Sequence, residues 1–416
     1  MAKFKIKDQD LASEGVKSIY LAEARMPTLV KIRRRFEDEK PLKNVMIGAC
    51  LHVTRETAVL VRTLKAGGAS VALCGSNPLS TQDDVAASLV NEGFNVYAWR
   101  GNDSEYYNCI RSVLDYNPDI IIDDGADLIV TAHRERKDLL PKVLGAQEET
   151  TTGVNRLRIM ERKKALTIPV IAVNNAKVKT MFDNVHGTGQ GIVSVIAALN
   201  VLFAGKNVVV AGYGYCSRGM ADRAKGLGAN VIVAEVDPVR ALEAVMDGYR
   251  VLQMDEAVKE AGIIFTATGC KDVLARRHFE KMKDGTILAN LGHFNVEVSV
   301  KDLEELATEK RSIRNYVDEY RLPNGNRLFL IGEGRLANLV VLGGHPSEIM
   351  DLSFSVQSLT SEYLAKNGEK LEDKVYEIFE QIDSDVAKAK LETMNIKIDK
   401  LTKEQLQYVQ DFELGT

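Results

Sequence analysis

The sequence predicts an α/β protein with two doubly wound parallel-sheet (Rossmann-like) domains and a small helical C-terminal segment. Short apolar runs alternate with helical segments from residue 45 onward, and the alternation resumes after residue 206. This pattern is typical of parallel sheets whose strands are joined by crossover helices. The length of 416 residues is sufficient for two or three domains.

Composition excludes several classes of protein. The formal net charge of −4 and the even spread of basic residues indicate neither a nucleic-acid nor a membrane partner. No apolar run reaches the roughly 18 residues that cross a bilayer, and the N-terminal MAKFKIKDQD has no signal core. The five cysteines (Cys50, Cys74, Cys109, Cys216 and Cys270) form no CxxC pair and no metal-ligand spacing. We therefore expect a cytoplasmic protein without a bound metal.

The first domain is predicted to open with a helix over 11–38 and to continue with strands at 45–50, 71–74, 95–99 and 120–122. Parallel sheets of this kind bind ligands beyond the carboxyl ends of their strands. Polar residues follow three of these strands, in 51–57, 75–83 and 123–127. Helix N-caps and turns could explain any one of them, and Ser80 with Asp83 is a partial capping signal. Three polar segments in the same sheet position favour a ligand site.

A dinucleotide-binding unit is predicted at 206–237, KNVVVAGYGYCSRGMADRAKGLGANVIVAEVD. Gly212 permits a tight turn after the first strand, and Gly214 lets a pyrophosphate approach the N-terminus of the following helix. Glu235 ends the second strand, where a carboxylate can accept from ribose hydroxyls and would repel a 2′-phosphate. NAD is therefore predicted rather than NADP, and Arg240 is the nearby residue that could reverse this choice.

The remaining elements continue the alternation. Strands are expected at 170–173, near 251, and at 263–266, 286–291, 315–321 and 328–331. Helices are expected at 192–203, 238–247, 255–261, 275–282, 302–309, 350–365 and 370–395, with Thr402 and Gln405 capping a last short helix.

Redox chemistry is suggested by Lys179 and Asp183, which share a face if their segment is helical. Oxidising an alcohol needs a base for the hydroxyl proton while a hydride leaves for the nicotinamide. A lysine base must be partly neutral, so burial or positive charge has to lower its pKa. An adjacent carboxylate acts in the opposite direction and could instead shuttle the proton. A surface salt bridge explains the same spacing.

A series of motifs, from about residue 22 to the last helix, resembles the S-adenosyl-L-homocysteine hydrolase family in its short C-terminal-tail form. The motifs are LHVTRETAVL (51–60), NPLSTQDDVAA (77–87), DDGADL (123–128), EETTTGVNRL (148–157), FDN (182–184), VVVAGYG (208–214), DGYRVLQMDEA (247–257), TATGC (266–270), LGHFNVEV (291–298), EGRLANL (333–339) and GGHPSEIM (343–350).

The resemblance implies reversible hydrolysis of S-adenosyl-L-homocysteine to adenosine and L-homocysteine, in a homotetramer with one tightly bound NAD per subunit. The 3′-hydroxyl is oxidised, the ketone acidifies the 4′-hydrogen, the thiol is eliminated, water adds, and the ketone is reduced again. The same chemistry on S-inosyl-L-homocysteine is an alternative. A net NAD-dependent nucleoside dehydrogenase is an alternative of another class.

The resemblance also assigns residues and domains by position. Catalytic roles fall to His52, Asp124, Glu149, Lys179, Asp183, Asn184 and His293. Cofactor contacts fall to Thr150, Thr151, Thr152, Asn184, Gly212, Gly214, Tyr215, Cys216, Glu235, Thr268, Gly292, His293, Asn338 and His345. Substrate contacts fall to Thr54, Glu56, Asp124, Glu149, Lys179, Asp183, His345 and Met350. The substrate domain is 1–185, completed by 348–385; the NAD domain is 186–347; and the helical tail, 386–416, is an oligomer contact.

The purine contact can be argued from chemistry. An ionised Glu56 can only accept, which favours the amino group of adenine over hypoxanthine, although Arg55 is adjacent and could donate. His133 and His278 match no motif and are expected at the surface.

The chain also departs from the family pattern. Ser217 replaces a usual glycine, and it either fits the helix–strand packing or donates to the pyrophosphate. Met181 and Thr188 stand where some relatives have lysine and cysteine. The sequence ends at Thr416 without the basic extension of long-tailed relatives, so weaker NAD retention than theirs is expected.

Overall fold

The computed structural model describes residues 4–412, which form two sheets with helices on both faces of each. The strands are β1 (Met46–Leu51), β2 (Ser70–Gly75), β3 (Asn95–Tyr97), β4 (Ile120–Asp123), β5 (Gly145–Glu148), β6 (Val170–Ala172), β7 (Asn207–Ala211), β8 (Asn230–Ala234), β9 (Arg250–Val251), β10 (Ile263–Thr266), β11 (Thr286–Asn290), β12 (Glu309–Arg314), β13 (Val317–Arg321), β14 (Arg327–Leu336) and β15 (Val375–Glu377).

The helices connect these strands and extend beyond them. They are α1 (Ala12–Glu23), α2 (Pro27–Glu39), α3 (Arg55–Ala66), α4 (Asp83–Asn91), α5 (Tyr106–Leu114), α6 (Asp127–Glu135), α7 (Thr151–Arg162), α8 (Lys177–Lys179), α9 (Thr188–Gln190), α10 (Val193–Leu199), α11 (Tyr215–Gly226), α12 (Pro238–Met246), α13 (Met254–Glu260), α14 (Arg276–Phe279), α15 (Val300–Leu306), α16 (Ala337–Leu342), α17 (Ser347–Asn367), α18 (Glu380–Thr393) and α19 (Lys403–Gln410). A π-helical segment, Thr180–Gly187, joins α8 to α9.

The first sheet is parallel throughout, in the order β15-β6-β5-β4-β1-β2-β3. The strand order reverses between β1 and β4, so the ligand crevice of this sheet is expected beyond their carboxyl ends. Residues alternate between the two faces of β1: Ile47 and Ala49 pack in one core layer and Cys50 in the other. Burial on both faces explains why these strands read as continuous apolar runs.

The second sheet has the order β12-β13-β14-β11-β10-β7-β8-β9. The strands from β14 to β9 are parallel and doubly wound, with the order reversing between β7 and β10. The doubly wound parallel sheet predicted for this domain is therefore present, and β12 and β13 add an antiparallel edge that was not predicted. The connection 322–326 is too short for a crossover helix, and it contains Pro323 and Gly325, so β13 and β14 form a hairpin.

Three predicted local features differ from the structure. The helix over 11–38 is two helices, because Pro27 starts a new one at its first position. The helix over 370–395 is reduced to α18, and β15 precedes it as a parallel partner of β6. Ser80 does not cap α4, because the N-terminus of this helix has no side-chain cap. The hydroxyl of Ser80 instead lies 2.8 Å from Nδ1 of His52.

The expectation of surface positions for two histidines is wrong. His133 and His278 are buried, and each ring has a backbone hydrogen-bond partner. The Nε2 of His133 accepts from the N–H of Thr167, and the Nδ1 of His278 accepts from the N–H of Ala275. The capping box at the start of α19 is confirmed. Within residues 4–412, no helix is long and apolar enough to cross a membrane.

Candidate functional site

A cavity of about 800 Å³ lies between the two sheets, where loops from both carboxyl edges meet. All the residues to which the sequence assigned a catalytic, cofactor or substrate contact line it, although their individual roles remain predictions. They are His52, Thr54, Glu56, Asp124, Glu149, Thr150, Thr151, Thr152, Lys179, Asp183, Asn184, Gly212, Gly214, Tyr215, Cys216, Glu235, Thr268, Gly292, His293, Asn338, His345 and Met350.

A buried lysine stands at the centre of one group of these side chains. The Nζ of Lys179 lies 3.6 Å from Glu149 Oε1 and 3.6 Å from Asp183 Oδ2, and it donates to Asn184 Oδ1 at 2.7 Å. The spacing of four residues between Lys179 and Asp183 does place them on one face. The wider π-helical turn that begins after Lys179 also brings the fifth residue, Asn184, to the same ammonium group.

Helix α17 supports this lysine group with residues that the sequence reasoning missed. Ser353 donates to Asp183 Oδ2 at 2.7 Å, and Gln357 donates to Glu149 Oε2 at 2.5 Å. On the other side of Asp183, the Nδ1 of His345 lies 2.6 Å from Oδ1. The available signal was the i, i+4 spacing of polar residues on a helix that also carries apolar ones, which indicates a polar stripe facing the interior.

Burial and neighbouring charges shift the pKa values of Lys179, Asp183 and Glu149 in different directions. Burial would lower the pKa of Lys179, but the carboxylates of Asp183 and Glu149 raise it above its ordinary value. Burial would raise the pKa of Asp183, but Lys179 and His345 lower it. Burial raises the pKa of Glu149 to about 7, against the opposing charge of Lys179. The lysine is therefore charged at neutral pH, and Glu149 is the group that titrates there.

A second group joins His52, Asp124 and His293. The Nε2 of His52 lies 3.4 Å from Asp124 Oδ2, and the Nδ1 of His293 lies 3.4 Å from Asp124 Oδ1. Burial lowers the pKa of His52 to about 4 and lowers that of His293 as well, so both imidazoles are neutral at pH 7. The ligand atoms of the three side chains lie within 4.8 Å of one another, a geometry that could also hold a cation. Sequence spacing does not predict it, because the three residues come from distant loops.

A third group lies at the start of α3. Glu56 is buried, and its Oε1 accepts from Arg55 Nε at 2.8 Å and from Ser347 Oγ at 2.6 Å. In the described part of the chain, Glu56 lines the cavity and Arg55 does not. The cavity therefore meets a carboxylate acceptor here rather than a guanidinium donor. Ser347, the first residue of α17, was missed by the sequence reasoning.

The glycine turn has the geometry that a dinucleotide requires. Gly212 has φ +86°, and Gly214 is the N-cap of α11 with an extended backbone. Glu235 accepts the N–H of Tyr213 at 2.6 Å, which fixes its carboxylate beside the turn. Arg240 also lines the cavity near Gly214. A pyrophosphate would meet the helix N-terminus, and a ribose would meet the carboxylate.

Ser217 is part of the packing between helix α11 and the sheet. It is fully buried, and its hydroxyl donates to the carbonyl of Ala211 at 3.1 Å instead of pointing into the cavity. The close approach expected of a third glycine is made by Gly219, where a Cβ would lie 1.8 Å from the carbonyl oxygen of Val185. Helix α11 therefore packs directly on the π-helical segment that carries Asp183.

Several buried polar atoms of the cavity have no hydrogen-bond partner within the described part of the protein. Among the residues the structure describes, Asp124 Oδ1, Glu149 Oε1 and Asn338 Oδ1 are buried and have no hydrogen-bond partner. Buried oxygens of this kind are normally satisfied, so a polar ligand is expected to complete them. Together with the glycine turn, the residues present fit a dinucleotide beside a hydroxylated substrate.

Comparison with known proteins covers both halves of the chain. Residues 3–140 match the family model "S-adenosyl-L-homocysteine hydrolase", and residues 184–344 match "S-adenosyl-L-homocysteine hydrolase, NAD binding domain". Adenosylhomocysteinase of Saccharolobus solfataricus is 56% identical over 99% of this chain and 100% of its own length. S-inosyl-L-homocysteine hydrolase of Methanopyrus kandleri is 54% identical over 100% of this chain and 98% of its own. The chain, with its NAD-binding domain, therefore belongs to the S-adenosyl-L-homocysteine hydrolase family.

Proposed function

We propose that this protein catalyses the reversible hydrolysis of S-adenosyl-L-homocysteine to adenosine and L-homocysteine, with NAD retained through each turnover. The observation that carries the proposal is the presence of two separate proton-handling groups in one cavity with a dinucleotide turn. The Lys179 group suits proton removal from a sugar hydroxyl. The group of His52, Asp124 and His293 suits proton transfer at the carbons next to it. A simple dehydrogenase needs the first group only.

NAD, when bound, supplies reversible hydride acceptance at the 3′-carbon. The turn at Gly212 and Gly214 would hold its pyrophosphate, and Glu235 would accept from its ribose hydroxyls. The thiolate of a thioether leaves slowly unless a neighbouring ketone activates the sugar. A redox cofactor that forms this ketone transiently therefore makes the hydrolysis possible.

We assign removal of the 3′-hydroxyl proton to Glu149. A charged Lys179 cannot act as a base, so it orients the hydroxyl and stabilises the developing oxyanion. Glu149, with its pKa of about 7, is partly ionised at neutral pH and can accept the proton nearby. Asp183 and Asn184 keep the ammonium group in place. This favours the proton-shuttle alternative over a neutral lysine base.

At the neighbouring carbons, Asp124 lies between two neutral imidazoles. We assign removal and return of the 4′-proton to Asp124 with His293. His52, on the other side of the carboxylate, is assigned to the proton that follows the thiol and water at C5′. The neutral rings can each accept a proton at pH 7, as general bases must.

The test of this function is thiol release. NAD-replete protein is mixed with S-adenosyl-L-homocysteine, and free thiol and NADH absorbance are followed together. We expect continuous thiol release with no NADH beyond one equivalent of bound cofactor, and about a hundredfold less thiol for Lys179→Met. Continuous NADH accumulation would instead identify a dehydrogenase, and absence of thiol would refute the proposal.

The proposed purine is adenine. Relatives of both names have similar identity to this chain, 56% and 54%, so similarity does not choose between the substrates. The carboxylate of Glu56 can accept from the amino group of adenine, whereas the carbonyl of hypoxanthine would face an acceptor. Faster thiol release from the adenosyl than from the inosyl substrate is expected. The opposite order would show that Glu56 does not read the purine as argued.

The proposal also includes the domain roles, the assembly and the location. Residues 1–185 with 348–385 would hold the nucleoside, 186–347 the NAD, and 386–416 a neighbouring subunit in a cytoplasmic homotetramer of the methyl cycle. In support, every residue of α19 is exposed; the tail beyond 412 lies outside the described residues. Sedimentation equilibrium tests the assembly: four copies of the 45.9 kDa chain are expected. A monomer with full activity would contradict it.

A further inference from the structure

Two buried glutamates that the mechanism does not use each hold a loop that lines the cavity. The first, Glu148, is the last residue of β5 and is fully buried. Its Oε1 accepts from Thr150 Oγ1 at 2.8 Å, from the N–H of Thr150 at 2.9 Å and from the N–H of Gly125 at 2.9 Å. Gly153 makes room for it, because a Cβ there would lie 2.1 Å from the carboxyl carbon of Glu148.

The second, Glu297, makes the same arrangement in the other sheet. Its carboxylate accepts from Thr268 Oγ1 at 2.9 Å, from the N–H of Thr268 at 2.9 Å and from the N–H of Gly269 at 2.8 Å. Here Gly292 makes room, because a Cβ there would lie 1.9 Å from Glu297 Oε1. Thr268 follows β10 by two residues, as Thr150 follows β5 by two residues.

The hydroxyl protons of both threonines are already used. A threonine hydroxyl has one proton to donate. That of Thr150 goes to Glu148, and its oxygen accepts the N–H of Gly153 at 2.9 Å. That of Thr268 goes to Glu297, and its oxygen accepts the N–H of Cys270 at 3.0 Å. Neither hydroxyl keeps a proton for a ligand, so their effect on a cofactor is exerted by fixing the loops.

We infer that Glu148 and Glu297 are matched positioning residues, each of which fixes one threonine-containing loop so that two walls of the dinucleotide site are set before the ligand enters. The reaction and the identity of the cofactor rest on the proposed function and on the family. Glu148 has an additional effect, because it also fixes the N–H of Gly125, the residue after Asp124. It therefore couples the cofactor wall to the second proton-handling group.

The first test removes the hydroxyls of Thr150 and Thr268 while keeping the shape of each side chain. Thr150→Val and Thr268→Val are compared with Thr63→Val and Thr286→Val. Thr63 and Thr286 are buried threonines outside the cavity lining that donate to the backbone carbonyls of Val59 and Lys283, respectively. NAD affinity and melting temperature are measured on purified holoenzyme. We expect NAD affinity to fall about tenfold or more in the first pair and to stay within about twofold in the controls, at similar melting temperatures. Unchanged affinity in the first pair, or equal losses in the controls, would overturn the inference.

The second test changes the glutamates themselves. Glutamine retains an acceptor oxygen, whereas leucine removes it at similar volume, so Glu148→Gln and Glu297→Gln should keep NAD affinity within about threefold and the leucine variants should lose it. Glu148→Leu should also lower kcat when NAD is saturating, because Gly125 is released beside Asp124. If the glutamine variants behave like the leucine variants, acceptor geometry is not the cause. NAD binding is read without the hydrolase reaction, so failure of the proposed function would appear separately, as absent thiol release in the wild-type protein.

Discussion

Among single residues, Glu149 is expected to set the acidic limb of the pH profile. Its pKa is raised to about 7 by burial, and only its ionised form can accept the hydroxyl proton. We predict that kcat/KM falls about tenfold per pH unit below pH 7. Glu149→Gln should lower kcat/KM by about a hundredfold or more and remove this limb, whereas Glu37→Gln on the exposed face of α2 should change neither. A limb that persists in Glu149→Gln would belong to another group.

The same residue is expected to affect stability with a defined sign. Because the pKa of Glu149 is raised on folding from about 4.5, the folded state binds its proton more tightly, so this contribution is complete below pH 4.5 and lost as pH rises through 7. The free energy of unfolding of Glu149→Gln, relative to wild type, should therefore increase between pH 5 and pH 8. Urea denaturation at several pH values measures it. A constant difference would contradict the raised pKa.

Ser217 gives a prediction that separates its two possible roles. Its hydroxyl donates to the carbonyl of Ala211 inside the sheet–helix interface, so Ser217→Ala should cost about 1 kcal/mol of stability. NAD affinity should stay within about twofold, because the hydroxyl points away from the cavity. Thermal melts and NAD titration measure the two effects. A large loss of NAD affinity at unchanged stability would instead indicate that the Ser217 hydroxyl donates to the pyrophosphate of NAD.

At the scale of elements, the contact between α11 and the π-helical segment controls the position of Asp183. A Cβ on Gly219 would meet the carbonyl oxygen of Val185 at 1.8 Å, whereas Gly226, at the end of the same helix, has nothing within 4 Å of its Cβ position. Gly219→Ala should therefore destabilise by at least about 2 kcal/mol, and Gly226→Ala should be neutral or slightly stabilising. Calorimetry measures both. Equal effects would mean that the helix can shift at little cost.

Elements whose signals are local were predictable, and elements that depend on distant partners were not. The glycine turn and the strands around it follow from apolar runs and glycine chemistry within 206–237. Strand β15 could not be found in this way, because its three residues become a strand only by pairing with β6, about two hundred residues earlier in the chain. The polar stripe of α17 has a local signal in its i, i+4 spacing, but the lysine group against which it packs is distant in the sequence. Its serines and glutamine look like surface residues until the lysine group is placed against them.

The site residues show the same division. Lys179, Asp183 and Glu149 were proposed together, but their charge states follow from burial and distance, which the sequence does not contain. The spacing of Lys179 and Asp183 was compatible with a neutral base, a proton shuttle or a surface salt bridge. Only the proximity of Lys179 to two buried carboxylates in the structure favours a charged lysine. Glu148 and Glu297 lie within the motifs EETTTGVNRL and LGHFNVEV, but the sequence assigned them no role, because nothing local marks a buried positioning carboxylate.

For the whole molecule, hydrogen bonds cross between the two sheet regions outside the cavity lining. Gln82 donates to the carbonyl of Gly343 at 2.8 Å, and Arg100 donates to the hydroxyl of Tyr316 at 2.8 Å. Loops from both regions thus line one cavity and also touch each other directly. A ligand that contacts both walls is therefore expected to stabilise the molecule as a unit.

This leads to a prediction for cofactor removal. A ligand at about a hundred times its Kd adds about 2.7 kcal/mol to the stability of the state that binds it. For domains of this size that corresponds to a rise of about 5–10 °C in Tm, so protein stripped of NAD should melt lower by this amount and recover when NAD is returned. NADP at the same concentration should recover less than about a third of the shift, because its 2′-phosphate meets the carboxylate of Glu235. Differential scanning fluorimetry measures all three states. Equal shifts with NAD and NADP would indicate that Arg240, on the same cavity wall, offsets the repulsion.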